Sequence, residues 1–416
     1  MKLRRGRVPE RERPAVDSRA PTLTRRSVLA LSAAAAGALA TGAPAKTALV
    51  SHVPAWPTVK RPPPSDGPVS EQETLLSFRC HGMPLEALSY PITPLGMYFL
   101  LMHFDVPRLD HLDPYRIAIG GEVRTPLTLT LDELKAGPVV EQPSVMECAG
   151  NGRAFLHPRP IYVPWFHEAI GTYAYTGTPL RPLLERAGLL DDAVEVVFSG
   201  WDEGVDLGVR HPFERAMPVA EALRDGVILA WAANGQPLAP QHGWPLRLVV
   251  PEWYGMQSVK WLRAITVLNT PFAGVENAQV YRDTQSADDP GAPVTRKAVR
   301  ALLQPPGIPD LLTRHRFLPA GTHELGGMAW SGHGPIARVE VSVDAGAVWA
   351  DATFDPPVSP YAWTPWRFTW YDAAPGEYEL VTRATDAAGN VQPLRPVWNY
   401  QGMANNGVQH IPVTIQ

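Results

Sequence analysis

Proline occupies 45 of the 416 positions, roughly twice its ordinary ~5% share. Each proline fixes φ and removes a backbone donor, so this density breaks long helices and favours turns and short extended segments. A helical bundle is thereby excluded. The apolar share of 45% and charged share of 19% suit a globular chain with a sizeable core rather than bulk disorder. At the usual ~100–200 residues per domain, the length points to two domains. Only 2 cysteines exclude a disulfide scaffold and a structural zinc site made of cysteine alone.

The formal net charge of −4 conceals an asymmetry. Residues 1–26 hold nine Lys/Arg against three Asp/Glu, which leaves 28 basic and 38 acidic residues for the rest. A body that acidic does not suit nonspecific nucleic-acid binding, and no nucleic-acid partner is expected. The basic start runs into Thr24-Arg25-Arg26-Ser27-Val28-Leu29-Ala30, an Ala/Leu-rich stretch to Ala40, and then Ala43-Pro44-Ala45. A charged start, a short apolar run and a small-residue site are the parts of a removable signal peptide. The adjacent arginines give its twin-arginine form. Residues 1–45 are therefore expected to be an export signal, and the mature protein to be periplasmic or extracellular. The apolar run is too short for a good membrane span, so no stable span is expected after signal removal.

Residues 46–76 are rich in Pro and Ser and read as an extended arm. From 77 to 285, short apolar runs such as Tyr115–Ile119, Val194–Phe198 and Leu246–Val250 alternate with Gly/Pro/Asp turns. Helical patterns are brief, over Leu131–Lys135 behind a Thr cap and over Pro179–Ala187. The fold class is therefore α+β, with a mixed α/β domain first. Residues 273–300 read as a connector. Within 286–416 the pattern is all-β: Val339, Val341 and Val343 alternate with Arg338, Glu340 and Ser342, with turns at Asp344–Gly346 and Asp386–Asn390. Short strands with regular turn signals predict an immunoglobulin-like sandwich.

The chemistry concentrates in Val145-Met146-Glu147-Cys148-Ala149-Gly150-Asn151-Gly152-Arg153. A lone cysteine at a strand end, with small neighbours and a following arginine, suits a reactive or ligating thiolate. A lone buried cysteine is as readily an inert hydrophobe, and the residues alone leave the two readings level. No P-loop, H-E-x-x-H or G-x-S-x-G pattern competes.

On this segment, and on those that follow it, the sequence resembles the sulfite oxidase family of molybdenum–molybdopterin enzymes over roughly 77–416. The stretch around Cys148 is similar to the family's C-A-G-N loop, whose cysteine ligates molybdenum. Ala169-Ile170-Gly171, Tyr175–Leu180, Asn234–Leu238, His242–Arg247 and Ser258–Leu262 follow in the family's order. The C-terminal part, through Ala387–Pro393, Val397–Gly402 and Asn405-Asn406-Gly407, resembles the family's dimerisation domain. The resemblance implies a molybdopterin-binding catalytic domain over 77–285 and an Ig-like dimerisation domain over 286–416, assembled as a homodimer. It implies molybdenum bound by Cys148, and the pterin bound by Met102, His103, Asp202, His242, Arg247, Ser258, Val259 and Lys260. It places Arg153, Tyr281 and Trp165 at the substrate, with Trp165 as a pocket wall. No haem module is expected in this chain.

The implied activity is oxidation of a small sulfur oxyanion, most simply sulfite to sulfate, with electrons passed singly to a cytochrome c or haem subunit. Two departures bear on the substrate. Leu101 stands where the family has an arginine ahead of the histidine matched by His103, which removes a charge and a fork of donors from the pocket. Gly152 stands where many members have a second arginine. Arg79 is a possible substitute donor by this reading. The alternative enzyme keeps the cofactor and takes a different substrate, as in the family's sulfane dehydrogenases and nitrate reductases. A non-catalytic exported binding protein is the rival from another class; molybdenum analysis separates it from both. Cys80 is expected to be a free, structural thiol.

Overall fold

The computed structural model describes residues 64–416. The expected export signal over 1–45 and the expected arm up to residue 63 lie outside them. Ser70 opens the first helix, Glu71–Phe78, with a reciprocal cap: its hydroxyl accepts from Glu73 N–H at 3.2 Å, and the Glu73 carboxylate accepts from Ser70 N–H at 2.8 Å. Such a box satisfies two of the donors that a helix start leaves orphaned. The arm expected to be extended as far as 76 is therefore helical from Glu71. The cap signal Ser70-x-x-Glu73 was present but hidden by the proline-rich composition around it. Arg159 closes on the buried Glu73 carboxylate at 2.8 and 3.0 Å and pins this helix to the body.

Two five-stranded sheets build the first domain. One runs Leu127–Thr130, Arg116–Gly121, Leu262–Leu268, Glu195–Asp206, Val209–Pro218 in spatial order, with one parallel pair, Arg116–Gly121 on Leu262–Leu268. The other joins Val140–Glu147, Ile170–Pro179, Ile228–Ala233 and Gln236–Pro237, with Arg247–Val249 also on Ile228–Ala233. The three apolar runs read as strands from the sequence lie within or beside these strands. Thr130 caps Leu131–Ala136 with a second capping box, and Arg181–Ala187 ends on Gly188 at φ 69.

The second domain is a sandwich of a four-stranded and a six-stranded sheet. In the strand Ile336–Ser342, Val339 and Val341 are buried against Leu380, Trp366 and Val413, as the alternation predicts. Its first strand, Arg300–Leu303, turns Ala301 and Leu303 into this core and the Arg300 charge toward the first domain. The connector is more structured than its composition suggests. A π-helical turn, Glu276–Val280, leads into Tyr281, and the pair Arg282–Asp283/Ala292–Pro293 closes the acidic loop between them.

Candidate active site

The strand Val140–Glu147 runs out into the loop 148–153, around which the site is built. Cys148 N–H donates to Ala169 O at 2.9 Å, and Asn151 and Arg153 N–H donate back to Cys148 O and Gly150 O, each at 3.0 Å. Gly152 sits at φ 89 with the Asn405 side chain against the space that a Cβ would take. A larger residue there meets both backbone strain and a clash. Burial raises the Cys148 thiol to about 11; the Arg153 charge and the Gly150 N–H, 3.4 Å from Sγ, pull the other way. Unliganded, the sulfur is therefore a protonated thiol, and a metal bound there would displace that proton.

The sandwich domain holds this loop from the far side. Glu147 accepts from Arg300 at 3.2 Å, Asn151 Nδ2 at 3.1 Å and Trp330 Nε1 at 2.8 Å. Arg300 also donates to Asn405 O at 3.1 Å and contacts His167 Nδ1 at 2.6 Å. Asn405 Nδ2 donates to Gly152 O at 2.6 Å, and Ala404 N–H donates to Ala149 O.

Cys148 opens on a cavity of about 60 Å³, lined also by His103, Asp202, His242, Arg247, Ser258, Lys260 and Tyr281. Five separate segments thus converge with the cysteine. Arg247 donates to His242 O and Ser258 O, both at 3.1 Å, and lies over the Tyr175 ring. Lys260 Nζ donates to Leu101 O at 2.9 Å and Gln241 O at 3.1 Å. Ser258 Oγ accepts from Val250 N–H, which leaves its own proton to donate. His242 is pushed down to about 3, first by burial and then by the Arg247 and Lys260 charges. His103 is likewise lowered to about 3 by burial, Lys260 and Arg215, so it is neutral where it bonds the Tyr281 hydroxyl.

The donor set fits an anionic metal cofactor. The hydrogen bonds of the buried cations Arg153, Arg215, Arg247 and Lys260 go to carbonyl or amide oxygens, not to carboxylates. Asp202 offsets the Lys260 charge, but three guanidinium groups beside it leave surplus buried positive charge, which is costly and calls for an anion. Asp202 Oδ1 is buried with no partner, an acceptor waiting for a donor. Among the described residues no cluster of three or more His, Cys, Asp or Glu side chains could hold a metal ion. A metal on Cys148 therefore takes its other ligands from a non-protein group, as a pterin dithiolene would supply.

Not every expected residue lines the cavity. Trp165 borders a neighbouring cavity instead, beside Cys80, Met83 and Val163, with its Nε1 unpartnered. A tight turn, Trp165 N–H to Val163 O at 2.9 Å, carries it into that wall. Arg153 is buried behind the Cys148 loop, donating to Gln401 O and Val163 O. Val259 is core, with Leu248 N–H on its carbonyl, and Met102 is half-buried beside the cavity residues Leu101 and His103. Arg79 is no substitute donor: it is 43% exposed and paired with Asp105 at 2.6 Å, outside the cavity. Leu101 does line the cavity and makes that wall apolar.

Sequence reasoning missed Phe213, which stacks on His103 at 4.3 Å, and Arg215, whose guanidinium lies 5.0 Å from the Tyr281 ring centroid. It also missed the Glu147–Arg300 pair. A charged residue on the inward face of an otherwise apolar strand is the signal in both arginines: Arg215 between Phe213 and Met217, Arg300 beside Ala301-Leu302-Leu303.

Residues 103–276 match the family model for the oxidoreductase molybdopterin binding domain, and residues 308–416 that for the Mo-co oxidoreductase dimerisation domain. Sulfite oxidase of Gallus gallus is 33% identical over 338 residues, covering 75% of this chain and 71% of that protein. The chain belongs to the sulfite oxidase family. Within the sulfite oxidase family, mitochondrial sulfite oxidase of Mus musculus is 33% identical over 350 residues, 78% of this chain and 62% of that one. A nitrate reductase [NADH] of Hordeum vulgare is 31% identical over 350 residues, but the chain spans only 37% of its length. Among solved structures, the sulfane dehydrogenase SoxCD of Paracoccus pantotrophus superposes with a TM-score of 0.70 at 28% identity, covering 91% of this chain and 96% of that one. The mixed α/β domain followed by a β-sandwich is thus the family fold, and the chain is a molybdopterin oxidoreductase.

Proposed function

We propose that this chain is an exported molybdenum oxidoreductase that oxidises a sulfur oxyanion, most simply sulfite to sulfate, and passes electrons singly to a cytochrome c. The observation that carries this reading is the Cys148 thiol at the wall of a cavity whose buried cations have no carboxylate partners. Cys148 would hold molybdenum. Arg247, Lys260, His242 and Ser258 would hold the phosphate and edges of the pterin, and Asp202 Oδ1 would accept from its amino group. When bound, that group supplies two-electron oxygen-transfer chemistry, which no side chain here can supply.

The chain's own part is orientation, charge and exclusion of water. The neutral His103 is hydrogen-bonded to the Tyr281 hydroxyl and so fixes the phenol at the cavity wall. Tyr98, Phe213, Met146 and Met256 give the remaining wall an apolar surface, which strengthens every charge inside. The Arg215 and Arg153 charges act on Tyr281 against that of Glu276, a contribution suited to an oxyanion. Export is supported by the signal over 1–45, homodimer formation by the dimerisation domain at 308–416, and the cytochrome acceptor by the family resemblance.

A second reading keeps the cofactor and changes the substrate to a larger or less charged sulfur compound. Leu101 in the cavity wall and the likeness to a sulfane dehydrogenase along 91% of the chain favour it. Steady-state turnover of sulfite with cytochrome c, on fully molybdenum-loaded protein, decides. Turnover in the range of ordinary enzymes, about 1–10³ s⁻¹, supports sulfite, and negligible turnover supports the second reading.

A further inference from the structure

The strand Val209–Pro218 is the edge of its sheet, and Phe213, Arg215 and Met217 are its buried positions of one alternation. Phe213 lines the cavity and lies flat on His103, with 17° between the rings. Two residues on, and so on the same face, Arg215 is 2% exposed. Its guanidinium lies over the Tyr281 ring, 5.0 Å from the centroid. One Nη donates to the Glu276 backbone carbonyl, and Nε donates to Gln257 Oε1 at 3.4 Å.

The acidic groups around it are turned elsewhere. The Glu276 carboxylate faces His211 Nε2 at 3.2 Å, and Glu195 accepts from Phe272 N–H at 2.7 Å. Burial lowers the Arg215 pKa to about 10, which the Tyr281 and Glu276 groups oppose without reversing. A full positive charge is therefore buried one ring away from the cavity, with no ion pair to neutralise it. The wall formed by residues 99–103 supplies no cation: Phe99 and Leu101 are apolar and His103 is held neutral.

We propose that Arg215 is a specificity-determining positioning residue, which acts through Tyr281 to hold the phenol and to give the cavity its affinity for a small dianionic or monoanionic sulfur oxyanion. This rests on the function proposed above. Arg215 does not touch the substrate: the Tyr281 ring stands between them. The Arg215 guanidinium stands over the phenol ring and its charge, with that of Arg153 from behind the Cys148 loop, opposes the Glu276 charge there. The bland reading is a structural arginine that ties the π-helical turn Glu276–Val280 to the strand. That role needs the hydrogen bonds but not the charge.

The test uses the molybdenum-loaded, full-length protein as wild type, Arg215→Met and Arg215→Lys. Sulfate binding is measured by calorimetry and sulfite turnover by cytochrome c reduction, with molybdenum content and thermal midpoint alongside. A buried unit charge two side chains from an anion changes its affinity by about tenfold or more. The expected result for Arg215→Met is a sulfate Kd and a sulfite KM each raised about tenfold, with molybdenum retained. Arg215→Lys, which keeps the charge and loses the fork, stays within about threefold of wild type in both. A sulfate Kd unchanged in Arg215→Met overturns the proposal. If Arg215→Met fails to hold molybdenum, the lysine variant decides alone: a tenfold loss with molybdenum intact shows that the hydrogen bonds matter and not the charge. Wild-type protein that binds sulfate but does not turn over sulfite refutes the proposed activity and leaves the Arg215 comparison standing.

Discussion

Arg300, from the first strand of the sandwich domain, donates to the carboxylate of Glu147 at 3.2 Å, one residue ahead of the Cys148 thiol. Both side chains are almost fully buried, at 1% and 2% exposure. The cysteine proposed as ligand, in one domain, is thus aligned by a charge from the other. The Cys148 loop cannot keep its shape if the domains part, because the Ala149, Asn151 and Gly152 carbonyls also take donors from residues 300–405.

Removing one partner of a buried pair leaves the other charge uncompensated, which costs about 3–5 kcal/mol. Arg300→Met is expected to destabilise the cofactor-free protein by that amount in denaturant unfolding. Adding Glu147→Gln removes the orphaned charge and recovers much of it. A coupling near zero in this double-mutant cycle contradicts the account of the pair.

Cofactor retention is expected to depend on Lys260 and Asp202. Burial, then the Arg247 charge, lowers the Lys260 ammonium, and its bonds to Leu101 O and Gln241 O hold it at the cavity. A charge-assisted bond contributes about 1.5–3 kcal/mol, so Lys260→Met is expected to weaken pterin retention roughly 10–100-fold. Metal analysis and pterin fluorescence after dialysis measure this. Asp202→Asn, which keeps the shape and reverses half the bonding, is expected to act in the same direction.

Tyr281→Phe keeps the ring over Arg215 but loses the bond to His103. If the phenol donates in the transition state, its loss is expected to lower kcat by about 10²–10³. The molybdenum-normalised rate with sulfite checks this, and a kcat within threefold of wild type removes the phenol from the chemistry.

His167 sets an acid limit on stability. Burial, then the Arg300 charge, holds its pKa well below 6.5, so the folded protein keeps it neutral while the unfolded chain protonates. The unfolded state binds more protons below pH ~6.5, and stability must fall as pH drops from there, by about 1.4 kcal/mol per pH unit for this one group. Stability of wild type and His167→Gln, followed from pH 7 to 5, is expected to diverge with that slope in favour of the variant. Parallel curves contradict the assignment.

Local chemistry was legible from the sequence because it is local. The Thr130 cap, the Val339/Val341 alternation and the Cys148 loop depend on neighbours a few residues away. Tyr281 was also found, although only the structure shows that a π-helical turn leads into it. Arg215 and Arg300 were not found, since their partners lie 61 and 153 residues away and the local signal, a charge on an apolar strand face, names no partner. The direction of error at Trp165 is similar: one turn at Val163 decides which of two adjacent cavities it faces. At Arg79 the sequence offered a charge near the right place, and Asp105 claims it.

The central claim is that Cys148 holds molybdenum for oxidation of a sulfur oxyanion, and one paired measurement on wild type and Cys148→Ser tests it most directly. Molybdenum per chain is determined by mass spectrometry, and sulfite-dependent cytochrome c reduction is followed on the same preparation. The account predicts about one metal per wild-type chain with turnover, and a folded Cys148→Ser protein with the turnover abolished. Metal-loaded Cys148→Ser with wild-type turnover, or wild-type protein that takes up no molybdenum, contradicts it.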